Sequence, residues 1–125
     1  MLQMQHALAD WGREMGLPAL EAGPGGEVQL RLESGALLGV AAVDEGVLVH
    51  WAQPVRHGGG SLMLRALQQA GATRGAGRPV QVGLRTLPGA EWLVVGTRVS
   101  ELDVSARGLR EAAEFLRQWL EALEG

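Results

Sequence analysis

The sequence predicts an α+β fold: a twisted antiparallel sheet with helices packed on it, in the element order α-β-β-β-α-β-β-α. Five short runs alternate apolar and polar residues or are apolar throughout, and three longer segments repeat apolar residues every three or four positions. Short groups of turn-forming residues separate the strand-like runs, a spacing that favours antiparallel hairpins. With 125 residues, the chain is expected to form a single domain, residues 1–125.

The first predicted helix covers residues 4–15, because one apolar stripe recurs there at helical spacing. Gly16 is expected to end this helix in the left-handed conformation, and Pro18 follows closely. The stripe consists of Met4, Leu8, Trp11 and Met15.

Three strands are predicted between residues 28 and 51, separated by glycine-containing turns. The middle run, residues 37–43, is apolar on both faces, which is typical of a central strand covered on both sides. The third strand is expected to end at Trp51, because residues 52–60 contain a proline and three glycines. The first strand alternates polar residues with Val28, Leu30 and Leu32.

Residues 62–73 predict a second helix, with Ser61 as its N-cap. This segment is apolar around nearly its whole circumference. Two of its sides are therefore expected to be buried, one by the chain's own sheet and the other by a second chain. Residues 71–79 are expected to form a flexible connection.

A second hairpin is predicted from residues 80–85 and 92–99, where apolar positions alternate again. The last helix is expected to be capped by Asp103 or Ser105 and to run to about Leu123. Its leucines form the core stripe, and its glutamates lie on a solvated side.

The composition excludes several function classes. A net charge of −3 argues against a nucleic-acid-binding surface, which would need clustered lysine and arginine. The absence of cysteine excludes disulfides, thiolate metal sites and cysteine nucleophiles. The amino terminus lacks the pattern of a signal peptide, and no apolar run is long enough for stable membrane insertion. A cytoplasmic location is therefore expected.

Several segments resemble catalytic or metal-binding motifs, but each lacks a residue or a spacing that the chemistry requires. The segment His57-Gly-Gly-Gly60 resembles the oxyanion loop of some esterases, but no serine lies in the required G-x-S-x-G turn. The histidines His6, His50 and His57 lack metal-ligand spacing. The glycines of residues 75–77 precede a strand, whereas a phosphate-binding loop opens a helix. We therefore expect no enzyme, no metal and no cofactor.

The whole pattern resembles the class I type III secretion chaperones, small acidic proteins of the CesT/SycE-like fold with the same element order. Within that family the chain is most similar to the SycN branch, which acts with YscB on the secretion gatekeeper YopN. The glycines of residues 58–60 and 75–77 depart from the family pattern. The similarity is carried by residues 8–17, by Gln29-Leu-Arg-Leu-Glu33, by Leu48-Val-His-Trp51, and by residues 63–72 and 109–123.

The resemblance implies a non-catalytic chaperone that dimerises and holds the amino-terminal segment of a secreted protein, of the YopN gatekeeper type, in an extended, secretion-competent form. It implies a heterodimer with a YscB-type co-chaperone, or a homodimer. By position, the dimer interface is assigned to Leu62, Met63, Leu67, Ala70, Trp92 and Val94. The substrate-binding surface is assigned to Leu8, Trp11, Leu30, Leu32, Leu48 and His50.

Two other classes of function stay open at this point. One is an adaptor module of the same fold, which binds a folded protein outside secretion. The other is a carrier that holds an apolar small molecule between sheet and helices. A chaperone would bind an amino-terminal fragment that is unfolded by itself, whereas an adaptor would require a folded target and a carrier would copurify with its ligand.

Overall fold

The chain folds into the predicted order of helices and strands. The computed structural model describes residues 2–55, 59–72 and 78–124. A short 3₁₀ turn, Glu101–Asp103, precedes the last helix. The other elements are α1 (Leu2–Glu14), β1 (Glu27–Arg31), β2 (Leu37–Val43), β3 (Gly46–Val55), α2 (Gly59–Ala72), β4 (Gln81–Leu87), β5 (Ala90–Ser100) and α3 (Ala106–Glu124). The strands form one antiparallel sheet in the order β1-β2-β3-β5-β4.

All three helices pack on one face of this sheet, which we call the covered face. Helix α3 lies over β3 and β5, α1 lies beside α3, and α2 lies over β4. Burial of a whole aliphatic side chain contributes about 1.5–3 kcal/mol, so this single core is the main source of stability. Its fully buried side chains include Met4, Leu8, Val40, Val47, Val49, Leu93, Val95, Val99, Leu109 and Leu116.

The opposite face of the sheet, which we call the open face, has no described helix on it. The prediction that β2 is covered on both sides is therefore wrong for this chain, because its alternate residues Leu37, Ala41 and Val43 point to the open face and stay partly exposed. The register places these apolar side chains on that face: Leu37, Ala41, Val43, Leu48, Ala52, Leu87, Trp92 and Val94.

The ends of α1 and α3 follow the sequence signals closely. Gly16 has φ +78°, the Gly16 amide donates to the Arg13 carbonyl at 3.2 Å, and the Leu17 amide donates to the Gly12 carbonyl at 2.6 Å. These two bonds are the Schellman end that a glycine at this position permits. Of the two candidate caps of α3, Ser105 is the one used, since its Oγ accepts from the Gly108 amide at 3.0 Å.

Two predicted boundaries are wrong. Strand β3 continues beyond Trp51 to Val55, and beyond Ala52 it pairs with β5 alone, a position where a proline is tolerated. Helix α2 begins at Gly59, so Ser61 lies inside the helix and is not its N-cap. Residues 56–58 and 73–77, with His57 and the predicted end of the second helix, lie outside the described residues.

Candidate functional site

The outer side of α2 carries two leucines that the chain leaves in solvent. Leu64 is 58% exposed and Leu67 is 51% exposed, although both are large aliphatic residues. Gly60 and Gly71 lie above and below them at helical spacing, and both glycines are open to close approach by another molecule. We call these four residues the α2 stripe. A stripe of two leucines between two glycines is suited to packing against a second helix.

The residues predicted for the dimer interface do not all reach this surface. Of the predicted α2 residues only Leu67 is exposed, while Leu62, Met63 and Ala70 are half-buried against the chain's own core. Trp92 and Val94 lie on the open face, on the other side of the sheet from α2. The predicted set is thus divided between two surfaces of the chain.

Leu64 and Leu84 were missed by the sequence analysis. Leu84, on β4, is 36% exposed and belongs to the covered face, the face on which α2 lies. The signal for Leu64 was present, because it lies about 160° round the helix from Leu62 and from Ala66 in projection and so cannot share their buried side. The apolar character of the whole helix hid that signal.

The free edge of β1 is the second candidate surface. The Leu32 amide donates to the Ala36 carbonyl, and the Ala42 amide donates to the Gly26 carbonyl, each at 2.8 Å. Since hydrogen-bonded pairs alternate along an antiparallel ladder, the backbone groups of Gln29 and Arg31 point away from β2. Among the described residues β1 has no other neighbour in the sheet, so these groups are available to a strand from another chain.

An apolar groove of about 310 Å³ lies next to this edge. It is formed by the segment after α1, from Gly16 to Leu20, and by Leu30 of β1. Leu17 is 42% exposed there. Of the predicted substrate residues, Leu30 lines this groove, and Leu32 follows β1 and is half-buried. A side chain of a strand added at the β1 edge would find apolar contacts in this groove.

Leu8 and Trp11 are not part of any such surface, which corrects their assignment to substrate binding. Leu8 is fully buried and Trp11 is nearly so, in the core between α1 and the sheet. The physical reason is that α1 has one apolar stripe, and the chain's own sheet already covers it.

Leu48 and His50 lie together on the open face, in the central strand β3. The register places Gly39 and Gly96 beside His50 on its two sides, and the imidazole lies over Gly39, where a β-carbon would collide with it. Partial burial lowers the pKa of His50 below its ordinary value of 6.5, and nearby Glu27 opposes this effect. The ring is therefore mainly neutral at pH 7 and forms part of an uncharged centre of this face.

The described residues contain no group of three or more histidine, aspartate or glutamate side chains placed to hold a metal ion. Nor is any helix within the described ranges both long and apolar enough to cross a membrane.

The fold is that of several solved structures. A chain of the HopA1–SchA chaperone–effector complex is 17% identical with a TM-score of 0.71, and the match covers 98% of this chain and 93% of that one. The Yersinia pestis type III secretion chaperone SycH, in complex with a stable fragment of YscM2, is 15% identical with a TM-score of 0.68, covering 96% and 98%. A chain of the ExsC–ExsE complex is 14% identical with a TM-score of 0.71, covering 98% and 90%.

Neither a protein-family model nor a curated protein matches the chain at the level of sequence. The likeness therefore rests on the structure, over nearly the full length of each chain compared. The protein has the α+β fold that these three structures share, among them the type III secretion chaperone SycH.

Proposed function

We propose that this protein is a non-catalytic type III secretion chaperone of the bacterial cytoplasm, which dimerises and holds the amino-terminal segment of a secreted protein in extended form. The observation that carries the proposal is that two surfaces of one small fold are suited to binding other chains. They are the α2 stripe, with its exposed leucines, and the free β1 edge with its apolar groove. The likeness to a chaperone–effector complex and to a secretion chaperone bound to a fragment of YscM2 supports it.

Dimerisation is assigned to the α2 stripe, extended by Leu84 of β4. Leu64 and Leu67 lose solvent exposure only if another chain covers them, and the flanking glycines leave room for its backbone. Of the α2 residues that the sequence predicted for the interface, the proposal retains Leu67 and omits Leu62, Met63 and Ala70. Leu64 and Leu84 take their place. Trp92 and Val94 of the open face are left to substrate binding or to a wider interface.

Substrate binding is assigned to the β1 edge, to the groove at Leu30 and to the open face around Leu48 and His50. An extended segment that pairs with Gln29 and Arg31 gains backbone hydrogen bonds, and its alternate side chains reach the groove. Such a segment must be unfolded to bind, and it pays its ordering entropy at that moment, so no nucleotide is needed to keep it extended.

The finer proposal is that the cargo is a gatekeeper of the YopN type and that the partner is a YscB-type co-chaperone. The resemblance of the hydrophobic pattern of the chain to that of the SycN branch is the ground for this finer proposal. The wide apolar circumference of α2 is compatible with a partner helix that differs from it, as in a heterodimer, or with a second copy of this chain.

The test is coexpression of the tagged chain with the amino-terminal fragment of a YopN-type protein, with and without a YscB-type chaperone, followed by copurification and hydrogen exchange of the bound fragment. We expect capture of a fragment that is unprotected when alone and gains protection over a short extended stretch. Capture only of targets that are folded without this protein would overturn the proposal and favour the adaptor.

The edge-pairing step has its own pair of variants. Gln29→Pro removes an amide that points to the free edge, whereas Gln29→Ala removes the side chain and keeps that amide. A backbone hydrogen bond contributes about 0.5–1.5 kcal/mol, so the proline variant is expected to weaken capture by about twofold to tenfold and the alanine variant to leave it unchanged. Equal capture by both variants would exclude pairing at Gln29.

A further inference from the structure

The open face carries positive charge in a chain that is acidic as a whole. The net charge of the sequence is −3, yet the strand positions facing this side of the sheet include Arg31, Arg85 and Arg98 and a single carboxylate, Glu27. All three arginines are exposed. The face therefore has a local charge opposite in sign to that of the molecule.

These arginines differ from those of α1 and α3 in what they contact. On α1 and α3, the four arginines Arg13, Arg107, Arg110 and Arg117 are each paired with a carboxylate. On the open face, Arg98 donates to the carbonyl of Asp44 at 2.8 Å, and within the described residues neither Arg31 nor Arg85 forms an ion pair. A guanidinium that lacks an anionic partner at the border of an apolar surface is available to a carboxylate of another molecule.

The strand register shows how these charges surround the apolar centre. Arg31 on β1 lies opposite Leu37, and Arg85 on β4 lies opposite Trp92, so the two arginines mark the two outer strands of the sheet. Arg98 lies opposite Leu48 in the middle. Adjacent strands are about 4.8 Å apart, so the outer arginines are separated by roughly 19 Å, with the partly exposed apolar side chains between them.

We propose that the open face binds an acidic amphipathic segment of the secreted protein, whose apolar side chains cover the centre around Leu48 and whose carboxylates pair with Arg31, Arg85 and Arg98. The inference rests on the chaperone function proposed above and adds the chemical class of the cargo. Charge complementarity selects this occupant, because the open face has three arginines and one carboxylate at its strand positions. The three helices carry nearly equal numbers of carboxylates and arginines, and most of those arginines already have carboxylate partners, so the helical layer offers an acidic segment less attraction.

The experiment uses three peptides of about 18 residues with one alternating apolar pattern, which gives an extended chain an apolar face, and with flanking positions that are all glutamate, all glutamine or all lysine. Their dissociation constants are measured by calorimetry against the intact chain. Each exposed pair changes affinity by up to about fivefold, so the glutamate peptide is expected to bind about tenfold more tightly than the glutamine peptide, and the lysine peptide more weakly than either. At about 0.05 M salt this preference is large, and at about 0.5 M it should nearly vanish.

Two matched double variants show whether the preference for the glutamate peptide depends on the open-face arginines or on arginines anywhere on the chain. Arg31→Gln with Arg85→Gln should remove the preference for glutamate, whereas Arg13→Gln with Arg107→Gln, which removes two paired arginines of the helical layer, should retain it. Equal affinity for all three peptides, absence of binding by any of them, or loss of the preference in the control variant would each overturn the inference.

Two further outcomes would also overturn it. If Arg31→Gln with Arg85→Gln changes the oligomeric state of the chain alone, the occupant of the open face is a second copy. If the chain captures the amino-terminal fragment of a secreted protein while showing no preference among the peptides, the chaperone function stands and the acidic cargo is excluded. The copurification experiment therefore fails or succeeds independently of the peptide series.

Discussion

Replacing Leu64 and Leu67 with glutamine is expected to dissociate the assembled protein without unfolding the chain. Both side chains are about half exposed in the single chain, and complete burial of a leucine contributes about 1.5–3 kcal/mol, so covering the exposed half contributes about 1 kcal/mol each. In a symmetric homodimer the two residues are counted twice, which gives about 4 kcal/mol and a dissociation constant raised roughly a thousandfold. Glutamine and leucine have similar helix propensities, so α2 itself should persist.

The same calculation distinguishes the two assemblies. In a heterodimer only one chain carries the substitutions, the loss is about 2 kcal/mol, and the dissociation constant rises only about thirtyfold. Sedimentation equilibrium of the purified chain, alone and with a YscB-type partner, measures both constants. The magnitude of the change thus indicates whether α2 packs against a copy of itself.

Leu102→Gln is the matched control. Leu102 is 94% exposed on the 3₁₀ turn, so it is the more exposed leucine, but it belongs to no apolar stripe. Its replacement should leave the dissociation constant unchanged. If the double variant at positions 64 and 67 assembles as tightly as the unmodified chain, or if Leu102→Gln has the same effect, the assignment of the interface to α2 is refuted.

Three further substitutions test the fold and the open face. Leu8→Ala should lower the free energy of unfolding by about 2–5 kcal/mol in a urea titration, because Leu8 is buried in the core. Unchanged stability together with weakened cargo binding would instead place Leu8 on the substrate-binding surface. Gly46→Ala should destabilise by at least about 1–3 kcal/mol, since its β-carbon would overlap the backbone carbonyl of Val99, while Gly83→Ala, with open space around it, is the control. Burial lowers the pKa of His50 in the folded chain, so its contribution to stability is complete above the ordinary pKa of 6.5 and is lost as the pH falls below that value. His50→Gln should therefore reduce the difference between the urea midpoints measured at about pH 7 and about pH 5. An unchanged difference would contradict this prediction.

The order and type of the elements could be predicted because the spacing of apolar residues indicates directly whether a segment forms a helix or a strand. The stripe of α1 is a clear case, since a single apolar stripe on an otherwise polar helix allows only one orientation of that helix relative to the core. Gly16 is another, because an end of this type requires a positive φ that glycine adopts without strain. Both features depend on residues that are close in sequence.

The surfaces could be predicted only in part, because they depend on what the rest of the chain covers. Helix α2 is apolar nearly all round, so its pattern does not say which side faces β4, and Met63 was chosen for the interface although it packs inward. Strand β2 is apolar on both faces, which indicates that something covers each face and does not say whether the cover is the same chain. The error at Leu8 has the converse origin, since a single apolar stripe cannot serve both the core and a partner.

The positions of the two proposed surfaces give a physical reason for an extended cargo. The β1 edge and helix α2 lie at opposite ends of the five-stranded sheet, a separation of roughly 19 Å at about 4.8 Å per strand. Two chains that meet through α2 would therefore present their β1 edges on opposite sides of the dimer, about 40 Å apart or more. A folded domain could offer a strand to one of these edges but not to both. An unfolded segment advances about 3.3 Å per residue, so a stretch longer than about 12 residues can reach both edges and combine their affinities. On this geometry, dimerisation through α2 would select for cargo that is long and unfolded, and an individual site would not need to recognise a particular sequence.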